Sequence, residues 1–331
     1  VSLLDTRDVV VDFPASEGRR IRAVDRVSIS LEPAETLGIV GESGCGKSTM
    51  ARAVLQLVRP TSGSVRLKDV ELTGIKGREL RSLRKHMQIV FQDPRGSLDP
   101  RMTVGALLTE PLRVHKLGTP SGRKKLAQEM LERIGLDARF MLRRPAEMSG
   151  GQQQRVAIGR ALITNPELVI CDEPVSALDV SIQAQVINLL GELQRDLGVA
   201  LIFIAHDLAV VRHISDRVAV MYLGRIVEEG TTDELFQTPR HPYTQALIAS
   251  IPRADSNARS SLQNAQRLAA GDLPSLLNPP SGCAYRTRCA YAQESCSKNT
   301  QTLREVPGAS QRVACDRWEQ IQAGEQIKVR R

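Results

Sequence analysis

The sequence predicts an α/β protein: a phosphate-binding-loop core with an N-terminal antiparallel β subdomain, a helical insert and a small cysteine-containing C-terminal extension. Three observations carry that prediction. The apolar run Thr36 to Val40 leads into Gly41-Glu42-Ser43-Gly44-Cys45-Gly46-Lys47-Ser48-Thr49 and then a helix-compatible segment, the order strand, glycine-rich loop, helix. Strand-length apolar runs at Leu168 to Cys171 and Ala200 to Ala205 end in polar residues and alternate with helix-like stretches, as βαβ units do. With 331 residues, 41% of them hydrophobic, the chain has material for one large core and a smaller appendage.

Taken in order, Val9 to Phe13, Val27 to Leu31 and Val65 to Leu67 read as strands of an N-terminal sheet around the loop unit. Met87 to Phe91 is a further strand, closed by Gln92. From about Arg101 to Glu147 the pattern turns helical, with apolar residues at helix spacing from Lys124 to Ile134; the helical subdomain spans about 101–160. Val156 to Ile163 is strongly helical, with Pro166 just beyond it, and Ser149 is its N-cap candidate. Gln183 to Leu197 is an amphipathic helix, and Val199 to Tyr222 continues the βαβ alternation. Around residue 236 proline and polar residues rise and periodic strands cease, so the division expected is 1–235 and 236–331.

The glycine-rich loop is a P-loop, whose bare N–H groups curl round phosphate oxygens. Lys47 supplies a point charge for the β- and γ-phosphates and Ser48 a hydroxyl for Mg2+, so a nucleoside triphosphate is the expected ligand. A second phosphate device stands at Met148-Ser149-Gly150-Gly151-Gln152, where two glycines at a helix entry leave N–H groups open at the positive end of the dipole. Since the P-loop already holds one triphosphate, this helix end is expected to close over the triphosphate of another copy.

With these motifs in order, the chain resembles the ATP-binding cassette (ABC) ATPases, whose signature Leu-Ser-Gly-Gly-Gln stands here as Met148 to Gln152. Leu168-Val169-Ile170-Cys171-Asp172-Glu173-Pro174, Ser176-Ala177-Leu178-Asp179, the strand before His206-Asp207 and Gln92 complete the set over most of the first 235 residues. The resemblance implies a RecA-like nucleotide-binding domain that binds ATP with Mg2+. At a strand end, Asp172 is suited to hold the magnesium's water shell, together with Ser48 and Gln92. Glu173, one residue on, faces the attacking water as general base, an effect on the order of 100- to 10,000-fold. His206 is expected to donate to the γ-phosphate, with a half-buried structural histidine as the alternative. Gln92 senses magnesium and water while the loop after it touches a membrane partner, and Asp179 sits where two copies meet. Phe13, where the family commonly has tyrosine, is the candidate to stack on adenine, or else a core residue.

His241-Pro242-Tyr243-Thr244-Gln245-Ala246-Leu247 with Ser250-Ile251-Pro252, Gly271-Asp272-Leu273-Pro274 and Pro279-Pro280-Ser281-Gly282-Cys283 are similar to the C-terminal region of dipeptide and oligopeptide importer ATP-binding subunits. Cys283, Cys289, Cys296 and Cys315, spaced by five, six and eighteen residues, match either a cubane cluster or structural zinc, with empty reduced thiols held in reserve. No tight Cys-x-x-Cys knuckle is present, and the resemblance implies a 4Fe-4S cluster. Two departures stand against it, Ala290 for a proline and Gln311 for a histidine. Cys45 and Cys171 read as small loop and strand residues.

No apolar run is long enough for a transmembrane span, and the N-terminus, beginning at Val1, lacks a signal-peptide pattern; a cytosolic protein is expected. Net charge is +8, with clusters at Arg19 to Arg22, Arg78 to Lys85, Arg123 to Lys125 and Lys328 to Arg331. At 3% aromatics there are few platforms for stacking bases, so no nucleic acid is expected and the clusters read as solvated faces. The function implied is ATP hydrolysis that powers import of di- or oligopeptides, with nickel or glutathione-like solutes as alternative cargo. Its partners would be a second ATPase subunit, identical or different, two membrane-spanning permease subunits and an extracytoplasmic solute-binding protein, placing the chain on the cytoplasmic face of the inner membrane. A soluble ABC ATPase of DNA repair or translation, and a stand-alone kinase, are the other readings.

Overall fold

The computed structural model describes residues 2–251 and 274–324. Val1, Pro252, Gly271-Asp272-Leu273 and the basic run Lys328 to Arg331 lie outside the described residues. The chain opens with strands β1 (Leu4–Pro14), β2 (Arg20–Val27), β3 (Ser30–Leu31) and β4 (Thr36–Val40), then helix α1 (Lys47–Val54). Strands β5 (Ser62–Leu67) and β6 (Val70–Glu71), helix α2 (Gly77–Leu83), β7 (Met87–Val90) and α3 (Pro94–Ser97) follow. Three longer helices come next, α4 (Val104–Val114), α5 (Pro120–Arg133) and α6 (Gly150–Leu162). The alternating part runs β8 (Leu168–Asp172), α7 (Val180–Leu197), β9 (Ala200–Ala205), α8 (Leu208–Ile214), β10 (Arg217–Tyr222), β11 (Arg225–Thr231). Helices α9 (Thr232–Gln237), α10 (Pro242–Ala249) and α11 (Ser295–Lys298), strands β12 (Arg304–Glu305) and β13 (Arg312–Val313), and helix α12 (Trp318–Gln322) complete it.

The chain divides into two compact units. The first takes described residues 2–5, 30–36 and 65–205. Its core is a parallel layer in which β8 pairs with β7 on one side and β9 on the other. Leu168, Val169, Ile170 and Cys171 are fully buried, as are Ala200, Leu201, Phe203 and Ile204. Strands covered on both faces are continuous apolar runs, which is why these stretches were legible as strands. The helical insert is built on α4 and α5. Thr103 and Thr119 cap them by accepting from the N–H groups of Ala106 and Gly122, and Leu107, Leu108, Leu112, Ala127 and Leu131 line the buried face.

The second unit takes described residues 6–29, 37–64, 206–251 and 274–324. There β1 and β2 form the expected antiparallel ribbon, with Val9 opposite Val27 and Phe13 opposite Ile21. The stretch Val27 to Leu31, expected as one strand, is divided: Val27 ends β2, and Ser30–Leu31 is the separate β3. Strand β4 pairs in parallel with β10, which pairs antiparallel with β11. The C-terminal extension adds to that sheet, since β13 pairs with β11 and β12 with β13. Two-residue strands carry too little periodicity to be read in advance. Among the described residues no helix is long and apolar enough to cross a membrane. The Arg19 to Arg22 cluster is partly neutralised, with Arg22 donating to Asp12 at 3.0 Å and to Asp25 at 3.4 Å.

Candidate functional site: a phosphate loop, a carboxylate turn and a capped helix

In the second unit β4 delivers the chain into the glycine-rich loop, and Gly46 starts α1. Gly46 has φ +109°, and a Cβ placed there would lie 2.1 Å from the carbonyl oxygen of Ala23, so only glycine fits. Lys47 is 4% exposed; its Nζ donates to the carbonyls of Gly41 at 2.7 Å and Glu42 at 3.0 Å. The ammonium is thus folded back over the loop it would serve. Ser43 and Gly44 are exposed, Ser48 and Thr49 half-buried in the first turn of α1. Cys45 is fully buried, and burial pushes its thiol up, which fits a small packing residue. Phe13 is 37% exposed on β1, so it is not a core residue. His206 is exposed directly after β9, and Asp207 caps α8 by accepting from the N–H of Ala209 at 2.8 Å.

In the first unit Asp172 ends β8, 4% exposed and in register with Ile204. Glu173 follows in the left-handed region at φ +49°, a conformation that costs a non-glycine residue roughly 1–3 kcal/mol. It is held there by its N–H donating to Ile204 at 3.0 Å, while the Ser176 hydroxyl donates to its carbonyl at 3.1 Å. Gln92, just beyond β7, donates through Nε2 to the Glu173 Oε2 at 3.2 Å. The fold therefore brings together two residues 81 apart in the chain and aims both from the carboxyl ends of parallel strands.

Ser149 is the N-cap of α6 in a complete capping box: its hydroxyl accepts from the Gln152 N–H at 3.3 Å, and its own N–H donates to the Gln152 side chain at 3.0 Å. Ser149 is exposed, as the signature reading requires. The two glycines differ. A Cβ on Gly150 would make ordinary contact with Leu178 at 3.5 Å, whereas one on Gly151 would lie 2.6 Å from Ile182 Cγ2 on α7. Gly151 therefore serves helix packing as well as any ligand. Asp179 is exposed at the N-cap of α7.

The profile of the ABC transporter family matches residues 24–176, and that of the oligopeptide/dipeptide transporter C-terminal region matches residues 227–296. The oligopeptide transport ATP-binding protein OppF of Escherichia coli (strain K12) is 51% identical over 311 residues, covering 91% of this chain and 92% of that protein. The chain belongs to this family of ABC transporter ATP-binding proteins. The oligopeptide transport ATP-binding protein AppF of Bacillus subtilis (strain 168) is 48% identical, covering 95% of this chain and 97% of that protein. A solved ATP-binding cassette, a dimer in a post-hydrolysis state bound to ADP and phosphate, matches with a TM-score of 0.64 and 31% identity. That match covers 69% of this chain and 98% of the cassette. This family member is an ABC-type ATPase, with ATP as substrate and Mg2+ as its ion. The hydroxyl of Ser48, the carboxylate of Asp172 and the amide oxygen of Gln92 are oxygen donors, the type magnesium takes.

The iron–sulfur expectation at Cys283, Cys289, Cys296 and Cys315 is corrected, and the zinc alternative gains no support. All four are free, and among the described residues no group of three or more His, Cys, Asp or Glu is arranged to hold a metal ion. They line a common cavity of about 30 Å³ together with Tyr285 and Arg317. Burial pushes the thiols of Cys289 and Cys315 up to about 12. Gln311, noted as a departure, is 1% exposed and occupied elsewhere: its Nε2 donates to the Thr238 carbonyl at 3.1 Å and its Oε1 accepts from Arg240 at 3.0 Å. Spacing between cysteines left cluster, zinc and empty thiols open, and the 4Fe-4S cluster that the resemblance implied is not supported by the arrangement of the described residues.

Sequence reasoning also missed Tyr243 and Arg288. The Tyr243 hydroxyl accepts from the Glu42 N–H at 3.0 Å, and Arg288 donates to both Glu42 carboxylate oxygens at 2.9 Å. Nothing near residue 243 or 288 signals a partner at residue 42.

Proposed function

We propose that this chain is the ATP-hydrolysing subunit that powers uptake of di- or oligopeptides through a membrane ABC transporter. The observation that carries it is the pairing of Gln92 with Glu173 in a strained turn at the end of β8. A carboxylate oriented by an amide, directly after a buried aspartate, is an arrangement suited to activating water. Glu173 takes the proton of the attacking water, Gln92 orients that carboxylate, and Asp172 and Ser48 would each supply an oxygen to the ion or its water shell. Bound Mg2+ would neutralise charge on the β- and γ-phosphates. Lys47 releases its loop carbonyls to engage phosphate oxygens, and His206 donates to the γ-phosphate. Phe13 stacks on adenine.

The exposed capping box at Ser149, with Gly150, Gly151 and Gln152, contacts the nucleotide of a second, homologous ATPase subunit, with Asp179 at the seam. The solved cassette's dimeric form supports this arrangement. Two membrane-spanning permeases and an extracytoplasmic solute-binding protein complete the assembly, with this subunit peripheral on the cytoplasmic face. Residues 1–235 act as the nucleotide-binding domain and 236–331 as the extension. The oligopeptide transport named for both relatives supports the cargo class. The test is Glu173→Gln, which keeps the shape but loses the base. ATP binding persists and steady-state hydrolysis falls by about 100-fold or more. A variant that turned over at the normal rate would remove Glu173 from its role and the reading with it.

A further inference from the structure

Within the second unit, the C-terminal extension grips the phosphate loop at Glu42. Its N–H is taken by the Tyr243 hydroxyl at 3.0 Å and both its carboxylate oxygens by Arg288 at 2.9 Å, while its carbonyl accepts from Lys47 at 3.0 Å. The Arg288 side chain is only 7% exposed. Its guanidinium lies 6.0 Å from the ring centre of Tyr222 and 5.9 Å from that of Tyr285. Tyr222, Tyr243 and Tyr285 pack on one another with centroids 4.7 to 5.4 Å apart, each at most 1% exposed. The grip is therefore rigid: a planar cation fixed among aromatic rings makes paired, charge-assisted hydrogen bonds to the loop.

A carboxylate two residues into a phosphate-binding loop has an electrostatic consequence. Unneutralised, Glu42 would repel the triphosphate and would be free to compete for the Lys47 ammonium. Arg288 cancels that charge and holds it aside, and Tyr243 occupies the Glu42 N–H so that the loop has one shape before nucleotide arrives. We propose that Arg288 and Tyr243 are positioning residues for the phosphate loop, so that the C-terminal extension sets the affinity of the ATP site. This rests on the loop binding ATP, as proposed above.

The experiment is isothermal titration of the purified full chain with Mg-ATP, alongside steady-state kinetics and thermal melting. Arg288→Met raises the Kd by about tenfold, because it leaves an uncompensated carboxylate beside the phosphates. Adding Glu42→Gln to that variant restores most of the affinity, a rescue that a purely structural role would not produce. Tyr243→Phe, which deletes one hydroxyl and keeps the ring packing, raises KM for ATP several-fold with kcat little changed, and tests the proposal even if Arg288→Met melts. Unaltered affinity in folded Tyr243→Phe and Arg288→Met, or a loss that Glu42→Gln leaves in place, overturns the positioning role alone. A wild-type chain that bound no Mg-ATP would overturn the ATP-site reading itself.

Discussion

Glu228 on β11 has no solvent exposure, yet it is a carboxylate. It accepts from the N–H groups of Arg240 at 2.7 Å and His241 at 2.9 Å, which ties the chain entering α10 to the sheet. Burial pushes it from an ordinary 4.5 up to about 7, against hydrogen bonds from Thr244, Arg240 and His241 and the Arg240 charge, which pull it down. Protonation therefore favours the folded chain: the contribution is full below pH 4.5 and is lost as pH rises through about 7. His241, buried and pushed down from 6.5 to about 3, runs the other way, its contribution full above pH 6.5 and lost on acidification toward pH 3. Arg240 uses Oε1 and His241 Oε2, so Glu228→Gln keeps an acceptor for only one of the two N–H groups, a cost that does not vary with pH, and removes the ionisation. Its stability relative to wild type is expected to be more favourable at pH 8 than at pH 5, by up to about 3 kcal/mol in urea unfolding. An equal difference at the two pH values would mean that burial does not raise the Glu228 carboxyl above its unfolded value.

At the scale of elements, α6 and α7 approach closely enough that glycine is required between them. Both Gly150 and Gly151 sit in the first turn of α6, and sequence alone gives them one role, leaving N–H groups bare for phosphate. Their surroundings separate them, since only Gly151 would drive a Cβ into the short, branched side chain of Ile182 at 2.6 Å. Gly151→Ala is expected to destabilise the fold by about 1–3 kcal/mol, through overpacking. Gly150→Ala should be close to neutral in stability, whatever it does to nucleotide contacts. Chemical denaturation of the pair decides it: equal stabilities would show that α6 and α7 relax apart at no cost.

For the whole molecule the question is where the capped helix end finds its phosphate. If Ser149 closes over the nucleotide of a second subunit, Ser149→Arg abolishes cooperative hydrolysis by steric and charge blockage. ATP binding to the isolated chain then stays within about twofold of wild type, because the chain's own phosphate loop is untouched. Comparable loss of binding in the monomer would place the signature in the chain's own pocket and end the shared-site arrangement.

Much of this was determined by the sequence alone, wherever the determinant is local. Strands β8 and β9 follow from unbroken apolar runs, the phosphate loop from glycines at positive φ that other residues rarely adopt, and the α6 cap from Ser149 with Gln152 three residues on. The order of these motifs was enough for the family. Tertiary structure alone decided what depends on distant partners: Gln92 reaching Glu173, Gly151 facing Ile182, β13 joining β11, and four cysteines brought round one small cavity without a metal-holding arrangement. It also decided the link from Tyr243 and Arg288 to Glu42, across 201 and 246 residues. A helix or strand prints its period on neighbouring residues, but a hydrogen bond between remote segments prints nothing on either, because only the folded backbone sets which side chains meet.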